Sequence, residues 1–446
     1  MLNTANLSLD QAPPISIPFR FFVTAPLFGI AAALLLLFKG PELFLTRWSP
    51  FTLGLTHLIT LGFLAMVMCG ALLQMLPVIA GSPVPRVVLV GTLCHLMITL
   101  GSALLVHAFI SGSLVGEHSA LALMGGGVII FFIAISLALW RVENVSHSVI
   151  AMRLAVVALM ITLLLGLLLG SGLLGFLGFG NIAALVDVHL GWGMLGWVGL
   201  LLVGISYQVV PMFQVTPEYP VAVRRWLAPS IFGGMLVWSG FSFMAMQGLV
   251  DTRVTSVWMS LILAGFACYA VVTLRLQRLR KRRIPDVTLS FWRVGMVSVL
   301  LSALLWGVAQ LVPAVEQDPR YHLFLGVALL LGAGVSVING MLYKIVPFLS
   351  WFHLQNRQVS LMCMSVQVPN MKQFIRDRYA RMQYRLYLAS LVLALASTLQ
   401  PSWFSYLAGM MFLGSNILLL VNLSLAMTRY RTTNAALLAE GAVEKG

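Results

Sequence analysis

Charge is what this sequence has least of. Only 9% of its 446 residues are Asp, Glu, Lys or Arg, and acids are the scarcer sign, 13 against 27 bases. A water-soluble chain of this length needs far more charge to cover its surface, so a soluble fold is excluded. No CxxC or CxxCH joins the four scattered cysteines, Cys69, Cys94, Cys268 and Cys363. Their spacing removes disulfide frameworks, zinc ribbons and covalently attached c-type haem. The first three lie within apolar runs and read as small packing residues. Also missing are a Gly-rich phosphate loop, a nucleophile elbow, paired carboxylates inside the apolar runs, and the polar/apolar alternation of a membrane barrel. The abundant Met and Trp show no pattern. Met1 to Phe19 has neither a basic n-region nor a cleavage site and reads as a tail before an uncleaved first span.

What fills the sequence is hydrocarbon: 60% of residues are hydrophobic and the mean hydropathy is +0.97. Apolar runs repeatedly reach the length a bilayer core of roughly 30 Å demands of a helix. With no water at that depth the backbone must satisfy itself, so helices are the expected spans. The length rule predicts twelve, at about 18–38, 51–80, 85–111, 119–140, 150–176, 182–212, 225–248, 254–276, 291–313, 320–350, 383–400 and 402–427. The second, sixth and tenth exceed what a bilayer needs and are expected to tilt or project. The chain reads as a single polytopic membrane domain.

The net charge of +14 does not signal nucleic acid, because the bases sit in short loops between spans. With a cytoplasmic N-terminus, only Lys39, Arg47, Arg253 and Arg320 fall in outer loops, and Lys344 lies within a span. All other Lys and Arg are inside, which places both termini in the cytoplasm of an inner (plasma) membrane. The run Arg278 to Arg283 is a topology anchor with a secondary capacity for anionic lipid.

An internal repeat is the most informative pattern. Span 2 carries Gly70-ALLQML-Pro77, span 6 Gly204-ISYQVV-Pro211 and span 10 Gly340-MLYKIV-Pro347, with Gln74, Gln208 and Lys344 at one offset. The interval is 134 residues and then 136, four spans each time. Three parallel units follow, at about 18–140, 150–276 and 291–427, unlike the inverted halves of many transporters.

Each long span also opens with a histidine followed by leucine: His57-Leu58, His189-Leu190 and His322-Leu323. Ionisable groups inside a membrane invite a functional reading, and imidazole suits iron, copper and zinc. If spans 2, 6 and 10 form an inner ring, the three histidines approach one another near the outer leaflet. Gly193 and Gly326 follow their histidines by one helical turn, leaving room for a flat macrocycle. The histidines stand 13, 15 and 18 residues before their glycines, so they differ in depth and facing. In span 3, Thr92, His95, Thr99 and Ser102 share a helical face. That stripe is either interhelical glue or, with Lys344, part of a polar path or an extra ligand. Lys344 can also snorkel. Asp187 reads either as an acceptor for a neighbouring ligand imidazole or as a loop residue. His107, His118, His147 and His353 fall at ends or in loops and are expected to be solvated.

Twelve spans in three parallel four-helix units, with histidines in spans 2, 6 and 10, resemble the catalytic subunit of the haem-copper oxidase superfamily. The stretches His57–Gly81 and Tyr321–Phe348 are most similar to its short NnrS-like relatives, haem- and copper-containing membrane proteins linked to nitric-oxide stress. The resemblance implies an all-α, subunit I-like fold, a haem b held axially by His57 and His322, a copper ligand at His189, and an electron donor. Span 7 lacks the oxidase histidine pair, span 10 has one histidine rather than two, and span 6 lacks His-Pro-Glu. These departures argue against an oxygen-reducing binuclear centre. The expectation is a haem-binding redox or gas-response protein. The competing readings are a non-haem metal binder or transporter using the three histidines, and a carrier or assembly factor in which they are structural.

Overall fold

The computed structural model describes residues 13–171, 182–281 and 286–443, and every regular element among them is helical. Eleven of the helices are long and apolar enough to cross a membrane, so the chain is a multi-pass membrane protein. In chain order they are α1 (Ser16–Lys39), α2 (Pro50–Val78), α3 (Val87–Ser111), α4 (Leu114–Trp140), α5 (His147–Gly170), α6 (Ile182–Gln214), α7 (Val221–Met246), α8 (Thr252–Arg278), α9 (Val287–Leu311), α10 (Pro319–Leu361) and, after α11, α12 (Pro401–Val443). α11, Asp377–Ser397, holds the span expected at 383–400. It packs along α12 but opens with Asp377, Arg378, Arg381 and Arg385, too polar a start to count among the eleven. The tail before residue 13, the end of the fifth predicted span, and Arg282 and Arg283 of the basic run lie outside the described residues.

Adjacent helices pair as α3 with α4, α7 with α8, and α11 with α12. α4 then packs on α5, α8 on α9, and α12 back on α1, so the outer helices close into a ring around α2, α6 and α10. Lipid is as apolar as a leucine side chain, so helices in a bilayer associate by close approach and polar contacts. The glycines supply the close approach. A Cβ at Gly70 would lie 2.6 Å from Cβ of Phe21 on α1; at Gly204, 2.6 Å from that of Ala151 on α5; at Gly340, 2.8 Å from that of Phe291 on α9. Eight residues earlier a second glycine does the same: Gly62 with Phe28, 2.7 Å; Gly196 with Ala158, 2.9 Å; Gly332 with Ser298, 2.7 Å. No real Cβ sits so close, so each long helix needs hydrogen at both places.

A second feature recurs at the same intervals. Three π-helical stretches interrupt the long helices, at Leu58–Ala65, Trp192–Gly199 and Ala328–Val335. The interval from Leu58 to Trp192 equals that from Gly70 to Gly204, and Trp192 to Ala328 equals Gly204 to Gly340. The stretches meet at the centre, where a Cβ at Gly334 would touch Leu64 at 3.0 Å and Met194 at 3.3 Å. π turns are rare, and they cluster at functional sites because they re-aim the side chains of the turn before them.

α10 and α12 are each 43 residues long, about 65 Å, twice a bilayer core. The surplus of both projects from the same end, joined by Arg357 Nη1 donating to Asn434 Oδ1 at 2.6 Å.

Candidate functional site

The histidines opening the long helices stand on different rungs. His57 is the residue before its π stretch, His189 lies three before Trp192, and His322 six before Ala328. At about 1.5 Å per residue, His322 is roughly 7 Å nearer the outer end than His57.

His57 and His189 are held alike. His57 Nδ1 is 2.8 Å from the Leu53 carbonyl oxygen, and His189 Nδ1 is 3.1 Å from that of Thr162 on α5. A carbonyl only accepts, so each Nδ1 carries the proton and each Nε2 presents a lone pair. An imidazole that binds a metal is typically anchored this way, its far nitrogen tied to backbone. Exposed His118 makes the same bond to Leu114 at 2.7 Å, so the bond alone does not mark a ligand. What distinguishes the other two is their shared surroundings. Both rings are half-buried, and the charge of His57 acts on His189. The His57 ring lies 5.1 Å from that of Phe109 on α3. The His189 ring rests on Gly166 of α5, where a Cβ would be 3.0 Å from Cε1. His57 on α2 thus packs against α3, and His189 on α6 packs against α5.

His322 is separate. Its ring is exposed, packs against Tyr321 with centroids 5.0 Å apart, and feels Arg47, Asp187 and Glu316. Asp187 does not serve a ligand imidazole. Its carboxylate accepts from Arg47 at 2.6 Å, tying the segment before α2 to α6. Just outside the span, Arg320 hydrogen-bonds Asp318 and holds that carboxyl down to about 2. Of the two glycines expected to make room, Gly326 has open space beside it, whereas a Cβ at Gly193 would touch Thr162 at 3.3 Å. Among the described residues no three His, Cys, Asp or Glu side chains cluster as a metal site. A haem iron, unlike such a cluster, needs only two protein ligands.

No protein-family model matches the chain, and no curated protein matches it.

The span 3 stripe divides. Arg20 Nη1 donates to Thr92 Oγ1 at 2.8 Å, and Thr24 Oγ1 meets His95 Nε2 at 2.9 Å, so these two residues fasten α3 to α1. Ser102 reaches Met124 Sδ at 3.6 Å, while the Thr99 hydroxyl is buried without a partner. No continuous string of hydrogen bonds joins the four. Lys344 pairs with Asp286 at 2.6 Å, each about one-fifth exposed, so its charge is neutralised in place by the residue that caps α9. His353 lies within α10 with its Nε2 buried and unpartnered, not solvated. Cys69, Cys94 and Cys363 are buried; Cys268 is exposed on α8 and is not a core residue.

Sequence reasoning missed Phe109, Thr162 and Gly166, which lie against the imidazoles of His57 and His189. It also missed Arg47 as the partner of Asp187, although Arg47 is one of only four cations assigned to the outer side.

Proposed function

We propose that the chain is a haem-binding redox protein of the inner membrane, built on a scaffold like that of the haem-copper oxidases and most like its NnrS-type relatives. In this reading twelve spans form three parallel four-helix units, with both termini cytoplasmic. α11 is then the eleventh span, its charged first turns lying at the cytoplasmic surface. The recurring glycine contacts, the π stretches at matched intervals and the closed outer ring support that arrangement.

One haem b sits in the outer half of the bilayer, and the observation that carries it is the pair of anchored imidazoles. His57 and His189 each have Nδ1 on a carbonyl, which leaves Nε2 with its lone pair, and the charge of His57 acts on His189. This pairing replaces the one the family resemblance implies, His57 with His322. His322, exposed beside Arg47 and Asp187, is left as the outer-rim histidine and the candidate contact for copper or a gas ligand. Bound there, a haem supplies one-electron storage, with a potential set by two imidazoles and by burial. The chain's own part is to hold both rings in one tautomer and to shield them behind Phe109 and the α5 backbone.

The test is a reduced-minus-oxidised optical spectrum of the purified full chain with metal analysis, on the wild type and three variants. A sharp α-band with stoichiometric iron is expected. His57→Ala and His189→Ala should each abolish it or turn it high-spin, and His322→Ala should keep it. Loss in His322→Ala with retention in His189→Ala returns the pairing to that of the resemblance. Copper or zinc without haem moves the function to a non-haem metal protein or transporter, and neither metal nor haem makes the histidines structural.

A further inference from the structure

At the inner end, away from the histidines, the segment between α10 and α11 and Arg429 of α12 border an open hollow of about 510 Å³. That is within the range of small-molecule sites. Its lining is Gln367, Pro369, Lys372, Gln373, Arg376 and Arg429. The lining holds three cations and no acid. Among the described residues none of the three cationic side chains makes an ion pair or a hydrogen bond. The nearest acid in sequence, Asp377, is engaged by Arg381 at 3.8 Å.

The walls are fixed before any ligand arrives. Phe374 and Ile375 are buried and pin the stretch that carries Lys372 and Arg376. Asn370 Oδ1 accepts from the Lys372 backbone at 3.0 Å, and Gln373 Oε1 accepts from the Asn370 backbone at 2.7 Å. Gln373 therefore has only its amide NH2 left for the cavity. Gln358 Nε2 donates to the Val366 carbonyl at 2.7 Å, and Ser365 donates to Glu440 on α12. The remaining polar side-chain groups are thus rich in donors on a pre-set frame, which lowers the ordering cost of binding. Two guanidinium forks and an ammonium suit the oxygens of a phosphate group.

We infer that this cavity binds a phosphate-bearing anion. Arg429 adjoins Tyr430, whose ring meets Phe19 of α1 edge-on at 6.4 Å, so the site opens where aromatic side chains gather at a membrane surface. The phosphate comes from an anionic lipid headgroup or from a soluble phosphate compound, and the recognition chemistry is the same.

Purified full chain in detergent, titrated with short-chain phosphatidylglycerol, with phosphatidylcholine of the same chain length, and with pyrophosphate, tests this. Native mass spectrometry reads the lipids and calorimetry reads pyrophosphate. The cavity variant combines Lys372→Gln, Arg376→Gln and Arg429→Gln. The control removes equal charge nearby through Arg378→Gln, Arg381→Gln and Arg385→Gln. Phosphatidylglycerol or pyrophosphate should lose at least about tenfold in affinity in the cavity variant and about twofold or less in the control, because only the cavity cations can hydrogen-bond the phosphate directly. Phosphatidylglycerol alone responding makes the ligand a lipid; pyrophosphate alone makes it a soluble phosphate. Equal losses in both variants, or no binding beyond that of phosphatidylcholine, overturn the site. Unchanged melting of the cavity variant keeps the comparison clean, and the optical spectrum, which reports the histidines, is not its readout.

Discussion

The three long central helices are alike along their seams and unlike at their outer ends. Along the seams each presents two glycines, eight residues apart, to residues seven apart on a neighbouring helix, and each then carries a proline. At the outer ends the histidines stand one, three and six residues before the π stretch, and only two of them are anchored to carbonyls. Close packing repeats because two helices can approach only where a Cβ is absent, and that requirement is the same wherever the same crossing is used. Under the proposed function chemistry does not repeat, because one axial pair takes two histidines and leaves the third for another role.

The largest effect that tests this comparison is on the seam. A methyl at Gly204 would lie 2.6 Å from that of Ala151, which is fixed to its own backbone and has no rotamer to move to. Gly204→Ala should destabilise by about 1–3 kcal/mol through overpacking. Gly240→Ala on α7, with nothing within 4 Å, should be neutral or stabilising by about 0.5–1 kcal/mol, the helix preference of Ala over Gly. Melting of detergent-solubilised protein separates them. Equal melting temperatures would mean that the seam is not what brings the helices together.

Much of that seam was readable beforehand and much of the site was not. Gly70, Gly204 and Gly340 announced themselves through the proline and polar residue that accompany them. Gly62, Gly196 and Gly332 do the same work at the same intervals, but they stand among dissimilar neighbours, with no accompanying motif to single them out. The π stretches have no residue signature, since a π turn is a register slip in the backbone and not a preference of any side chain. Spacing identified the three histidines correctly as the openings of the long helices. What each of them packs against depends on the π register and on α3 and α5, which supply Phe109 and Thr162. Sequence distance carries neither. Asp187 was read as a partner for imidazole because it lies two residues from His189, yet successive helical residues point about 100° apart and Arg47 reaches it first.

A middle-sized effect concerns the one seam position where chemistry has diverged. Gln74 and Gln208 are matched in the third helix by Lys344, which is bound to Asp286. Gln74 is fully buried and its amide has no partner among the described residues, so an uncharged residue is tolerated at that place. Lys344→Gln, making the third helix resemble the others, should cost about 1.5–3 kcal/mol, the value of a hydrogen bond to a charged group. Adding Asp286→Asn should recover part of it by removing the negative charge that Lys344 balanced. No recovery would assign Asp286 chiefly to capping α9 through the Leu289 amide.

The smallest effect is expected at the outer rim. Arg47 and Asp187 form a short ion pair, but Asp187 is nearly half exposed, and pairs of that kind contribute about 0.2–1 kcal/mol. A double-mutant cycle on Arg47→Gln and Asp187→Asn should give a coupling in that range at low salt. It should fade as ionic strength shortens the screening length below about 10 Å. Both substitutions should leave any low-spin haem spectrum in place, because His57 and His189 are anchored to the Leu53 and Thr162 carbonyls and not to this pair. They should change the surroundings of His322, which feels both charges. Copper content or ligand binding is therefore the property to follow across the cycle. A cycle that moves the haem spectrum instead would show that the rim and the His57–His189 pair are one site, and that His322 belongs with the other two histidines after all.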